Sequence, residues 1–332
     1  MKNCKVICIG EALVDRLGPY GGDPSCDRPV QDCLGGAPAN VACGLRRLGI
    51  DVAFVGCLGD DEIGKKFHNL FVSRGVDIQG LQIHPSLPTR IVLVKRDLSG
   101  ERTFGGFNGD KGNGFADQFL PLADLKPICL ELLKDSSWLV LGTILLASDE
   151  SRETILWLVE EAQKHKLNIV IDLNWRPTFW DKNFNSDAPP NLDTRTLVYS
   201  ILEKVNWLKL AKEEAIWFFN GDDPCAISKL FSHHPNVIIT DGKNPIKWNI
   251  DGRNGILDPI KLDKIVDTTG AGDSFIAGLI AKIIHGKLIE KKDFSNLDNL
   301  ISFAAASGAL VCLGEGAIEP QPTFSDVQEF LS

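Results

Sequence analysis

The stretch Asp267-Thr-Thr-Gly-Ala-Gly-Asp273 holds the clearest chemistry in the chain. Gly270 and Gly272 flank one alanine, which permits tight backbone geometry, and the apolar run 275–284 that follows has the small residues of a buried helix. The backbone N–H groups of Gly270, Ala271, Gly272 and Asp273 are expected to converge at that helix's N-terminus. First-turn amides lack intrahelical acceptors and the helix dipole favours anions, so the hollow suits phosphate oxygens. Asp273 adds a carboxylate at the rim. Alone it reads as an ordinary first-turn acid; beside an anion hollow it reads as a base taking a proton from a hydroxyl that attacks a phosphoryl group.

A second stretch, Leu34-Gly-Gly-Ala-Pro-Ala-Asn40-Val-Ala42, pairs two glycines with an amide side chain at a helix start. Gly35 and Gly36 allow a ligand close to the backbone, and Asn40 offers a donor and an acceptor. A plain turn before a capped helix would use the same residues. The usual P-loop is absent: Gly242-Lys243 runs into Asn244, Gly286-Lys287 into Leu288, and no G-x-G-x-x-G follows a strand.

The elements that must position these groups alternate along the chain. Strands are expected at 6–10, 52–57, 138–142, 168–172, 207–210 and 237–240. Helices are expected at 39–48, 60–74, about 150–165 and from about 272. That alternation is the pattern of a parallel sheet flanked by helices. Segments 13–34 and 89–107 break it with extended pieces, the second joined at 97–100, and such pieces are candidates for a lid. The polar stretch 183–194 reads as a surface loop, giving one large domain with a small β lid.

Composition limits the partners. The 332 residues carry 35 Lys+Arg against 44 Asp+Glu, a formal charge of −9, which argues against a nucleic-acid surface but leaves room for a local phosphate pocket. No apolar run approaches the roughly 20 residues of a membrane span. The first residues run straight from a short apolar stretch into Glu11 and read as a strand, not a signal peptide. Nine scattered cysteines without a C-x-x-C pair fit a reduced, cytoplasmic setting.

Joined to the opening Gly10-Glu-Ala-Leu-Val-Asp15, these stretches make the chain resemble the ribokinase-like (PfkB) carbohydrate kinases over about residues 5 to 320, and within them fructokinases. The resemblance implies an α/β fold of three layers, a mostly parallel sheet flanked by helices, with a β-clasp lid from about 13–34 and 89–107. It implies ATP as phosphoryl donor and Mg2+, Asp273 as base, and Gly270, Ala271 and Gly272 as the anion hole. Asp15 matches the family's sugar-binding acid, and Gly35, Gly36 and Asn40 its sugar-pocket segment. Asn174 and Arg176 match a D-x-N-x-R element, the first assigned to ATP and the second to substrate.

Lys209 matches an ATP-side position and Glu214 one linked to Mg2+ through water. Thr240 and Gly242 match a nucleotide-site T-x-G, and residues 304–316 part of an adenine wall. Asp267 and Thr269 match a potassium site of some relatives. Two departures stand out. Ala211 replaces an expected Asn near the metal. Asn108 lies where keto-acid sugar kinases place an arginine, after a Glu101-Arg-Thr-Phe104 stretch, so a neutral sugar is preferred to 2-keto-3-deoxygluconate. The expected reaction is phosphorylation of fructose to fructose 6-phosphate. Ribose, another ketose, 2-keto-3-deoxygluconate, a nucleoside, or a non-catalytic scaffold or sugar sensor are the alternatives. Edge strands of the lid could pair two copies of the chain.

Overall fold

The computed structural model describes residues 5–98, 102–109, 114–181 and 183–332. In chain order its strands are β1 (Lys5–Ile9), β2 (Leu13–Tyr20), β3 (Gln31–Gly35), β4 (Val52–Gly59), β5 (Asp77–His84), β6 (Ile91–Arg96) and β7 (Arg102–Phe107). They continue as β8 (Ser136–Leu141), β9 (Asn168–Asp172), β10 (Trp207–Ala211), β11 (Asn236–Asp241), β12 (Asn244–Ile250) and β13 (Arg253–Leu257). The main sheet runs β13-β12-β11-β10-β9-β8-β1-β4-β5, parallel from β11 to β5 and closed at one edge by the antiparallel β12–β13 hairpin. Helices on both faces explain its continuous apolar strands. Val6 and Cys8 pack into one core layer, and Ile7 and Ile9 into the other.

The chain steps from β1 to β4 and β5 on one side and from β8 to β11 on the other, so the strand order reverses at β1. In such sheets a crevice opens beyond the carboxyl ends of the strands at this point. The helix α1 (Ala37–Arg47) starts two residues before its expected position, because Pro38 fits a first helical turn. Next, α2 (Glu62–Arg74) is capped by Asp61, whose side chain accepts from the Gly64 amide, and ends at Gly75 in the left-handed region. Unanticipated is α3 (Leu122–Asp135), while α4 (Asp149–Lys164) covers the helix expected at about 150–165. The stretch expected as a loop to 194 gives way at Leu192 to the helix Leu192–Leu202, capped by Asn191.

A second sheet, β3-β2-β6-β7, is formed by the two rhythm-breaking segments. Residues 99–101, including part of the expected joint and Glu101, lie outside the described residues. Leu13, Val92, Phe107 and Phe115 form the small core under this sheet, with Phe104 and Phe179 against it. Beneath them Arg90 and Asp117 make a buried two-pronged ion pair at 2.7 and 2.9 Å. The Arg90 guanidinium also lies 4.4–4.9 Å from the ring centres of Phe107, Phe115 and Phe179. Among the described residues no helix is long and apolar enough to cross a membrane.

Candidate active site

A cavity of about 560 Å³ opens where the second sheet faces the carboxyl ends of β1, β9 and β10. Ten of the sixteen residues singled out in the sequence line it: Asp15, Gly36, Asn40, Asn174, Arg176, Lys209, Thr269, Gly270, Gly272 and Asp273. The helix Ala271–Gly286 aims its N-terminus at this space. Gly270 caps it with φ 78°, and a Cβ there would stand 2.5 Å from Ala317 Cβ, so only glycine fits. The first helical bond runs from Ser274 N–H to the Gly270 carbonyl at 2.8 Å, leaving the Gly272 and Asp273 amides without intrahelical acceptors.

The expected hollow needs one correction. The Ala271 amide turns back to the Thr268 carbonyl at 3.3 Å, and Ala271 does not line the cavity. The loop before the helix bends tightly enough to use that donor itself. A Cβ on Gly272 would lie 2.9 Å from Lys209 Nζ, so the missing side chain lets an ammonium approach the amides.

Asp273 is held from across the fold. Asn40 Nδ2 donates to its Oδ2 at 2.8 Å, and Gln321 Nε2 donates to the Asn40 carbonyl at 2.8 Å. Among the described residues Asn40 Oδ1, which is buried, has no hydrogen-bond partner. Burial pushes the Asp273 carboxyl up to about 6. The Asn40 bond opposes the rise, nearby Asp172 adds to it, and Lys209 and Arg176 oppose it. Such a group is ionised at neutral pH and still basic enough to accept a proton.

Lys209 and Asp172 are register partners on β10 and β9, which sets their buried ion pair at 3.0 and 3.1 Å. Burial acts to lower the Lys209 ammonium, but Asp172 and Glu214 outweigh it and hold it above its ordinary range. Glu214 is buried and absent from the cavity wall. Its Oε1 accepts from Trp175 N–H at 2.6 Å and its Oε2 from Ala211 N–H at 2.7 Å. Burial, then the charge of Asp172, raises its carboxyl. It thereby braces the loop carrying Asn174, whose φ of 42° is a left-handed conformation that asparagine tolerates. Arg176 donates from Nη1 to the Trp175 carbonyl at 2.9 Å.

Asp267 is likewise supplied by protein donors. Its Oδ1 accepts from Thr269 N–H and Oγ1 at 3.0 and 2.7 Å, and its Oδ2 from Gly316 N–H at 3.0 Å. Thr240 and Gly242 sit at the carboxyl end of β11, beside Ala211 and off the cavity wall. Among the described residues no group of three or more His, Cys, Asp or Glu could hold a metal ion. With both Glu214 oxygens on amides, the residues present do not form a direct divalent-metal site.

On the opposite wall a Cβ on Gly35 would lie 3.7 Å from Asp15 Oδ2 and 4.0 Å from Asn40 Oδ1, so the two side chains converge over that glycine. Gly36, at φ 100°, passes so close to the Glu11 carbonyl that a Cβ would stand 2.6 Å from it. Glu11, Asp172, Phe104 and Phe179 also line the cavity; the first three stand inside the quoted motifs, where the sequence alone assigns them no role. The sequence marks Glu11 only by its place in the Gly10–Asp15 opening, after the apolar run 6–10.

The model of the pfkB family of carbohydrate kinases matches residues 3–324. A fructokinase of Klebsiella pneumoniae is 31% identical over 99% of this chain and 100% of its own length. A crystal structure of a Xylella fastidiosa fructokinase with bound ATP superposes with a TM-score of 0.84 at 26% identity, covering 100% of this chain and 98% of that one. A Vibrio cholerae O395 fructokinase bound to fructose, ADP and calcium gives 0.79 at 25%, covering 100% of both chains. The ribokinase-like α/β fold expected from the sequence is the one these structures share. With nearly every residue inside the family model, and Gly36, Asn40, Gly270, Gly272 and Asp273 gathered around one cavity, the chain belongs to the pfkB family of carbohydrate kinases.

Proposed function

We propose that the chain transfers the γ-phosphoryl group of ATP to the primary hydroxyl of a neutral ketohexose, converting fructose to fructose 6-phosphate. The observation that carries this reading is the Asp273 carboxylate, pinned by Asn40 at the mouth of the helix Ala271–Gly286. The sugar lies between Asp15, the Gly35–Asn40 segment and the second sheet, which closes over it and keeps water from competing as acceptor. Asp273 takes the hydroxyl proton as the new sugar O–P bond forms and the bond to the ADP leaving group breaks. The Gly272 and Asp273 amides and the nearby Lys209 ammonium stabilise the charge spread over the transferring group. Magnesium would arrive with the nucleotide, since the described residues of the cavity offer it no direct ligand set.

Binding of ATP by the Xylella protein and of fructose by the Vibrio protein supports the choice of substrates. The test is ADP release over a panel of fructose, ribose, other ketoses, 2-keto-3-deoxygluconate and a nucleoside, with and without potassium. Fructose should show the highest kcat/KM. A higher value for any other acceptor would reassign the substrate, and sugar binding without ADP release would mark a non-catalytic protein.

A further inference from the structure

Glu11 lies two residues past the end of β1, is 2% exposed, and shares the cavity wall with Asp15, Asn40 and Asp273. Its Oε1 accepts from the Ala37 amide at 3.1 Å, at the first residue of α1. Such a buried acid would ordinarily have a cation beside it, yet the two charges that bear on Glu11 most strongly are negative. One is Asp117, from the short turn Ala116–Gln118 and already held by Arg90; the other is Asp273, from the helix Ala271–Gly286. The remaining charged groups of the wall are Asp15 on the second sheet, the Asp172–Lys209 pair on β9 and β10, and Arg176 on the loop after β9.

Burial pushes the Glu11 carboxyl up to about 8. The charges of Asp117 and Asp273 add to the rise, against the pull of its own amide and that of Ala37. At neutral pH Glu11 therefore holds its proton, and a protonated carboxyl can donate as well as accept.

Acceptors predominate among the side chains of this wall placed around the sugar, with Arg176 the cationic donor among them. Asp15, Asn40 Oδ1 and Asp273 offer acceptors to the hydrogens of a polyol, but each sugar oxygen also presents lone pairs. Asn40 Nδ2 is spent on Asp273 and Lys209 on Asp172. Resting on the sugar-kinase reading, we infer that Glu11 is a further sugar-binding residue, whose acid O–H donates to an oxygen of the acceptor while its Oε1 holds the start of α1. Ionisation removes the donor, so sugar affinity falls as pH rises through the Glu11 transition.

The test compares wild type, Glu11→Gln and Glu11→Ala by KM for fructose, KM for ATP and kcat from pH 6 to 9.5. Thermal melting checks folding, and calorimetry measures fructose binding by the wild type over the same range. The wild-type KM for fructose should rise about tenfold between pH 7.5 and 9.5, with the KM for ATP steady. Glutamine keeps a donor and an acceptor without ionising, so Glu11→Gln should stay within about threefold of wild type at pH 7 and show no alkaline rise. Glu11→Ala should raise that KM about tenfold at every pH.

Identical pH profiles for wild type and Glu11→Gln, or a Gln variant as weak as the Ala variant at pH 7, would overturn the assignment. Should neither variant fold, a wild-type fructose affinity that stays constant to pH 9.5 overturns it alone, and an alkaline fall supports it. A wild type that phosphorylates no sugar at pH 7 removes the kinase reading and the Glu11 role with it. Phosphorylation without the alkaline rise removes only the latter.

Discussion

On the main-sheet side of the cavity, Lys209 and Asp172 are buried and placed by strand register, and Glu214, buried off the wall, is tied down by two backbone amides. Across from them, Asp15, Thr103 and Phe104 belong to a four-stranded sheet with edges at β3 and β7; Tyr20 at the end of β2 is 61% exposed and Leu98, just after β6, 86%. The first side fixes charges that chemistry requires within fractions of an ångström. The second supplies shape and hydroxyl contacts from a thin layer that stands on a few aromatic rings. On the proposed function, phosphoryl transfer and sugar choice are lodged in separable parts of the molecule.

Substitutions can break that separation or sharpen it. The largest effect belongs to the main-sheet side: Asp273→Asn should lower kcat by about 10³-fold or more while sugar binding, read by thermal shift, persists. Near-normal turnover would remove the base from the mechanism. Arg90→Met tests the footing of the second sheet. It leaves Asp117 buried and uncompensated, a loss of about 3–5 kcal/mol in denaturant unfolding. It should also raise the KM for sugar far more than the KM for ATP. Equal increases in both would show that the walls are mechanically one.

The smallest effect is in the pH profile. Asp273 works only when ionised, so kcat/KM for the sugar should fall as pH drops through about 6, in a limb well separated from the alkaline one assigned to Glu11. The Asn40 bond favours the ionised form, so Asn40→Ala should move this limb to higher pH. An unmoved limb would assign it to another group.

What could be read from the sequence divides along a different line, that of local against distant causes. The Gly270–Gly272 corner depends on neighbours within a few residues, and it was legible apart from the turn that consumes the Ala271 amide. Glu11 was not, because its burial depends on Ala37 and on charges brought in by Asp117 and Asp273. The Asp172–Lys209 pair depends on the register of strands 37 residues apart. Proline inside α3 masked a helix that tertiary packing tolerates, through Leu125, Cys129, Leu132 and Leu133. The β12–β13 hairpin did carry a signal, Asp251-Gly252 with both φ angles positive, a dipeptide suited to tight hairpins.

The bond from Asn40 to Asp273 spans 233 positions, and Gln321 clasps the same asparagine from still farther along. During synthesis the amino-terminal third can fold its strands long before either partner leaves the ribosome. On the proposed function, a half-made chain therefore owns most of its sugar-facing surface yet has no aligned proton acceptor with which to waste nucleotide. Competence arrives in one late docking event, and two separately expressed halves should each be inert and regain turnover only on being mixed.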